Sequence, residues 1–190
     1  LRQYNYFFLL PKLLLVVFPF SFSANICIVG DSAVGKTSIL NSYLPESCYE
    51  NDYNAVNNSM KSKTKNIDLI SEFLKLSIFK LPSDQSLFKR SAQFIREASV
   101  IFFVFDVTNR ESFSNISAWI SKANVIWEKS YKMIVGNKCD GENARKVSFT
   151  EAKKFAKKNL CRYIEVSATT GFNIDHLFDY AVIKTMRLVN

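Results

Sequence analysis

Gly30-Asp31-Ser32-Ala33-Val34-Gly35-Lys36-Thr37 is the stretch whose reading decides the fold. It fits the pattern G-x-x-x-x-G-K-[ST] in full. Ile26–Val29 before it is a short apolar run that reads as a buried strand, and the segment from Lys36 to Leu44 after it reads as a helix stopped by Pro45. The chemistry of the loop follows from its residue types. Gly30 and Gly35 let the backbone turn tightly and come close to phosphate oxygens. The N–H groups of the loop and of the first helical turn then face the anion, with the partial positive charge of the helix N-terminus behind them. Lys36 can reach the β- and γ-phosphates, and the hydroxyl of Thr37 is the usual Mg²⁺ ligand in such a loop. The expected phosphate-binding set is therefore Gly30, Asp31, Ser32, Ala33, Val34, Gly35, Lys36, Thr37 and Ser38, with Thr37 as the metal ligand.

Strands and helices alternate downstream. Two strand-like stretches cover about Met60–Leu69 and Phe73–Leu81, after a polar stretch, 46–58, that reads as a loop. Val100–Phe105 is apolar throughout, as expected of a central parallel strand buried on both faces. Glu111–Asn124 reads as one helix with Phe113, Ile116 and Ile120 on a common face. A strand at Met133–Val135 follows, then a helix at Thr150–Lys158 with Ser148 and Glu151 offering a capping box. A last strand, Tyr163–Val166, precedes a last helix, Asn173–Leu188. This alternation predicts an α/β domain on a mostly parallel sheet flanked by helices.

Strand Met133–Val135 runs into Gly136-Asn137-Lys138-Cys139-Asp140, and the last strand ends in Ser167-Ala168-Thr169. With these motifs in order behind the phosphate loop, the sequence resembles the small GTPases of the Ras superfamily over about residues 25–183. Gly30–Ser38, Asp106-Val107-Thr108-Asn109, Trp119-Ile120 and Ser167 to Phe178 read most like the Rab branch. The resemblance implies a P-loop NTPase fold, the six-stranded G domain, and GTP or GDP with Mg²⁺ as cofactors. It implies that the Asp140 carboxylate accepts from guanine N1–H and the 2-amino group, a donor pair that adenine lacks. Asn137 would brace the loop and Lys138 would cover the base plane. Ser167, Ala168 and Thr169 would contact the guanine oxygen through their backbone, so Thr169 in place of the family's Lys is tolerable.

Other positions depart from the family. Lys75-Leu76-Ser77-Ile78-Phe79 matches its third strand, but the D-x-x-G-Q motif that follows becomes Lys80-Leu81-Pro82-Ser83-Asp84. Lys80 stands for the Mg²⁺-supporting Asp, Ser83 for the Gly that donates to the γ-phosphate, and Asp84 for the Gln that orients water. No D-x-x-G occurs between Ile67 and Val100. In the first switch loop Tyr53 matches the family's aromatic residue, but the family Thr aligns with Asn57, or with Val56 in a shorter register, and Ser59 fits neither. Hydrolysis is expected to be weak or absent, with no residue assigned as catalytic. Asp84 is expected to repel a γ-phosphate. The Lys80 ammonium either lies near the phosphates, supplying part of the metal's charge, or swings out to solvent.

The net charge of +8 carries no recognition helix or RNA-binding sheet motif, so it reads as a solvated surface rather than a nucleic-acid site. Lys61, Lys63 and Lys65 belong to that reading, as do Lys153, Lys154, Lys157 and Lys158 on one helix face. The four cysteines lack metal-ligand spacing and are expected as free thiols. His176, the single histidine, reads as filler. The domain is expected over 24–190. The apolar stretch 1–23 carries Lys12, Pro11 and Pro19, and a membrane-spanning helix needs about 20 apolar residues. It reads as a non-native extension, a targeting or anchoring segment, or a packed extension. The C-terminal residues include no prenylation Cys.

The leading expectation is a Rab-like GTP-binding protein of vesicle and membrane traffic. It would act through effector and regulator proteins, in the cytoplasm and peripherally on endomembranes. The alternatives are a nucleotide-independent pseudo-GTPase scaffold and a slow conventional GTPase. An ATP-using kinase is disfavoured by Asp140.

Overall fold

The structure, a computed structural model, describes residues 21–44, 61–68, 73–84, 98–126 and 129–189. The expectations for Tyr53, Val56, Asn57, Ser59 and Cys48, and for residues 1–20, lie outside that set. The elements in chain order are strand β1 (Ser21–Val29), helix α1 (Lys36–Tyr43), β2 (Lys61–Asp68), β3 (Phe73–Lys80), β4 (Val100–Asp106), α2 (Arg110–Ser114), α3 (Ile116–Ile126), β5 (Tyr131–Asn137), α4 (Phe149–Lys158), β6 (Arg162–Glu165) and α5 (Ile174–Val189). Six strands form one sheet in the order β2-β3-β1-β4-β5-β6. Every pairing is parallel except β2 with β3. The expected architecture is therefore the observed one.

β4 shows why its run is apolar throughout. Ile101, Phe103 and Phe105 pack on one face of the sheet with Phe113, Ile116, Trp119 and Ile120 from α2 and α3 and Ala152 and Ala156 from α4. Val100, Phe102 and Val104 pack on the other with Ile39 and Leu40 of α1 and Leu177 and Phe178 of α5. Each face of the strand thus meets its own helices. Phe178 stacks on Tyr43 with ring centroids 3.9 Å apart and meets Phe102 edge-on at 5.5 Å. Phe178→Ala is expected to cost about 3–5 kcal/mol of stability, read from the midpoint of urea unfolding.

Three local expectations change. β1 begins at Ser21, because Ser21–Ser23 lie in register with Phe73–Lys75, so the sheet starts three residues before the expected domain boundary at 24. The single helix expected at Glu111–Asn124 is two, α2 and α3, with Asn115 between them. Asn109 caps α2, its side chain accepting from the N–H groups of Glu111 and Ser112. Lys63 is not a surface lysine. It is fully buried, and its ammonium donates to Asn41 Oδ1 at 3.0 Å and to the carbonyl of Leu44. That carbonyl lies just past the end of α1, where the helix dipole favours a cation. The α4 lysines are exposed as expected, opposite buried Ala152 and Ala156. Of the described cysteines, Cys27 is a free, buried thiol whose pKa burial pushes up to about 12, and Cys139 and Cys161 are also free. Among the described residues no helix is long and apolar enough to cross a membrane.

Candidate functional site

The loop between β1 and α1 opens onto a cavity of about 430 Å³ at the C-terminal edge of the parallel strands. In open α/β sheets that edge is where ligands collect. Among the described residues its walls are Ser32, Ala33, Gly35, Lys36, Thr37 and Ser38 from the loop, Lys80 to Ser83 from the segment ending β3, and Lys138 after β5. α1 starts at Lys36 with Gly35 at its N-cap and no side-chain cap, which leaves the first-turn N–H donors for a ligand. Gly35 has φ +93, and an added Cβ there would collide with the side-chain amide of Asn137. Gly30 has φ +145, and a Cβ would run into the carbonyl of Val104. Neither glycine can be replaced without moving the loop.

Three members of the expected phosphate-binding set do not line the cavity. Val34 is buried in the core beneath the loop. Gly30 lies against β4. Asp31 turns its carboxylate to α3, accepting from Asn115 Nδ2 at 2.7 Å and from the Trp119 indole N–H at 2.9 Å. Its contribution to the loop is its carbonyl, which accepts from Lys36.

The Lys36 ammonium donates to the Gly30 carbonyl at 2.7 Å and to Ser83 Oγ at 2.8 Å. Burial, with the neighbouring charge of Lys80, pushes its pKa down to about 8 against the opposing pull of Asp31. An oxyanion placed here would relieve that penalty, with charge-assisted hydrogen bonds of about 1.5–3 kcal/mol each. Lys80 is held at the end of β3 by pairing to Ile28 on one side and Lys61 on the other. Its ammonium donates to Thr37 Oγ1 at 3.2 Å. Ser83 reaches the site through its hydroxyl, whereas Asp84 is exposed and does not line the cavity.

Of the expected guanine-reading residues, Asn137 and Lys138 bond to the phosphate loop and Ala168 bonds to Asn137, and among the described residues Lys138 alone of that set lines the cavity. Asn137 is buried, donates from Nδ2 to the Val34 carbonyl at 2.9 Å and accepts at Oδ1 from the Ala168 N–H at 3.2 Å. One side chain thus ties the phosphate loop to the segment after β6, as the bracing role requires. Lys138 has φ +63, a costly conformation for a residue with a side chain. It places its ammonium 2.6 Å from Asp106 Oδ2 and 3.0 Å from the Ala33 carbonyl, so its aliphatic stem bridges the site. Burial raises the Asp106 pKa, but hydrogen bonds from Lys138 and Thr108 outweigh it and leave the carboxyl below the usual range. Asp140 is exposed, and its carboxylate carries no side-chain hydrogen bond among the described residues. Ser167 is buried and its Oγ accepts from the Thr170 N–H at 3.1 Å, while Thr169 is exposed. Arg145 clamps Glu165 through two bonds of 2.9 and 3.0 Å and ties the turn after Asp140 to β6.

Asp106, Asn115 and Trp119 support the site without having been assigned to it. Asp106-x-Thr108 carried a readable signal, since an Asp two residues before a Thr commonly accepts from that residue's N–H, as here at 2.8 Å. Nothing local in the sequence marks the bonds from Asn115 and Trp119 to Asp31.

Comparison with known proteins agrees with this geometry. The Ras family model matches residues 25–187. The GTP-binding protein ypt2 of Schizosaccharomyces pombe is 29% identical over 160 residues, covering 84% of this chain and 79% of that protein. Ras-related protein Rab-2B of Dictyostelium discoideum is 31% identical over 160 residues, with 84% and 78% covered. Ras-related protein RABC2b of Arabidopsis thaliana is 31% identical over 172 residues, with 89% and 82% covered. With its phosphate loop at the edge of a mostly parallel sheet and a match from Asn25 to Arg187, this chain belongs to the Ras family and is a Rab-like small GTP-binding protein.

Proposed function

We propose that this protein binds GTP and GDP through Gly30–Ser38, Asn137, Lys138, Asp140 and Ser167–Thr169, hydrolyses GTP weakly or not at all, and works by presenting its surface to partner proteins in membrane traffic. Lys36 and the first-turn N–H groups take the phosphates, and Asp140 selects guanine. In line with the family, its place is the cytoplasm and the periphery of endomembranes. The observation that carries the reading is the contrast between two walls of one cavity. The loop wall keeps Gly35, Lys36 and Thr37 in the arrangement described, while the Lys80–Ser83 wall offers no carboxylate and no side chain suited to orienting a water.

A second reading, a scaffold indifferent to nucleotide, draws on the internal bonds of Lys36, whose ammonium already has acceptors in Gly30, Asp31 and Ser83. Competition separates the readings. Unlabelled GTP is expected to displace a fluorescent guanine nucleotide at least about a hundredfold better than ATP does, the scale set by two lost charge-assisted hydrogen bonds. A folded protein that binds neither supports the scaffold instead.

A further inference from the structure

We propose that Lys80 stands in for a divalent cation, so that the nucleotide phosphates are held between the ammonium groups of Lys36 and Lys80 and bind without metal. The inference rests on the guanine-nucleotide reading given above and concerns the chemistry of that same site.

The phosphate loop and its glycine cradle fit a nucleotide, but the donor set does not fit Mg²⁺. Mg²⁺ demands near-ideal octahedral oxygen coordination and is usually held by one or two carboxylates in addition to phosphates. Here the hydroxyl that would ligate it, Thr37 Oγ1, accepts from the Lys80 ammonium at 3.2 Å. Among the described residues the cavity is lined by no carboxylate, and no group of three or more His, Cys, Asp or Glu could hold a metal ion. An incoming dication would meet a like charge where the resemblance calls for an acidic partner.

The same arrangement suits a polyanion. Lys80 does not swing out to solvent. Its backbone is fixed by strand pairing on both sides, and the N–H of Leu81 donates to the Ile28 carbonyl at 3.0 Å. Its ammonium reaches Thr37, on the first turn of α1, while Lys36 reaches the loop from the adjacent position. Lys138 also lines the cavity, with its ammonium paired to Asp106. Phosphate oxygens lying between Lys36 and Lys80 would relieve the repulsion between the two ammonium groups, and the ammonium groups would in turn supply the positive charge that a metal ion brings to the phosphates at such loops.

The test is titration of the full chain with fluorescent GDP, once with excess Mg²⁺ and once with excess EDTA. The Kd of the native chain is expected to differ by less than about threefold between the two, while Lys80→Ala weakens binding by about tenfold in both, the loss of one charge-assisted hydrogen bond. Lys80→Asp is expected to bind at least about tenfold more tightly with Mg²⁺ than with EDTA. Thermal melts of the variants establish that they fold. A native Kd that weakens tenfold or more in EDTA, about the worth of one ligand bond, overturns the inference and leaves the guanine reading intact. A folded native chain that binds GDP in neither condition overturns both.

Discussion

Asp140→Asn is expected to weaken binding of GDP and GTP by at least about a hundredfold while leaving the melting temperature unchanged. Two observations set the direction. The carboxylate is exposed and has no side-chain hydrogen bond among the described residues, so the fold does not rest on its charge. The loop that carries it is held instead by Arg145 on Glu165 and by Asn137 on Val34 and Ala168. In the proposed complex the carboxylate accepts two hydrogen bonds from the base, each worth about 1.5–3 kcal/mol because the acceptor is charged. An amide keeps one acceptor and turns a donor toward a donor, so both the charge and one bond are lost. Titration with a fluorescent guanine nucleotide, beside a thermal melt of each protein, checks the prediction. An unchanged Kd in a folded variant would mean that Asp140 does not read the base.

Single-turnover hydrolysis of bound GTP is expected to run at least about tenfold below 10⁻⁴ s⁻¹, the order of an unassisted small GTPase. Transfer of the γ-phosphoryl group needs an oriented water and donors aimed at the developing charge. Ser83 turns its hydroxyl to Lys36 at 2.8 Å. Asp84 is exposed outside the cavity walls, and no Gln, Glu, Asp or His lines the cavity among the described residues. The triple variant Lys80→Asp, Ser83→Gly, Asp84→Gln restores the family pattern at these positions and is expected to reach about 10⁻⁴ s⁻¹ with Mg²⁺ present. A native rate already at that level, and abolished in Lys36→Ala, would show that this chain hydrolyses GTP by other residues.

Local pattern and long-range contact account for what was and was not legible in the sequence. The strand–loop–helix around Gly30–Thr37 and the apolar run Val100–Phe105 were readable, because glycine spacing and two-sided burial leave marks within a few residues. The bracing role of Asn137 was readable from the motif that contains it. The burial of Lys63 was not, because its reason is the end of α1, about twenty residues earlier in the chain. The break at Asn115 was hidden in the same way. The helical period continues across it, while its side chain is engaged by Asp31, 84 residues away in sequence. The extension of β1 to Ser21 comes from pairing with β3 and has no signature in the polar residues Ser21 and Ser23 themselves. At the phosphate site the positions of Lys80 and Ser83 followed from counting along β3. That Lys80 meets Thr37 and that Ser83 meets Lys36 required the packed structure.

The most direct test of the central claim is the identity of the nucleotide that the native chain carries. The full chain, purified without added nucleotide, is denatured and the released small molecules are separated by chromatography. The account predicts guanine nucleotide, with GTP in excess over GDP. Release of GDP alone would contradict the predicted excess of GTP, and a folded protein that releases an adenine nucleotide, or none, would contradict the claim that this cavity binds guanine nucleotide.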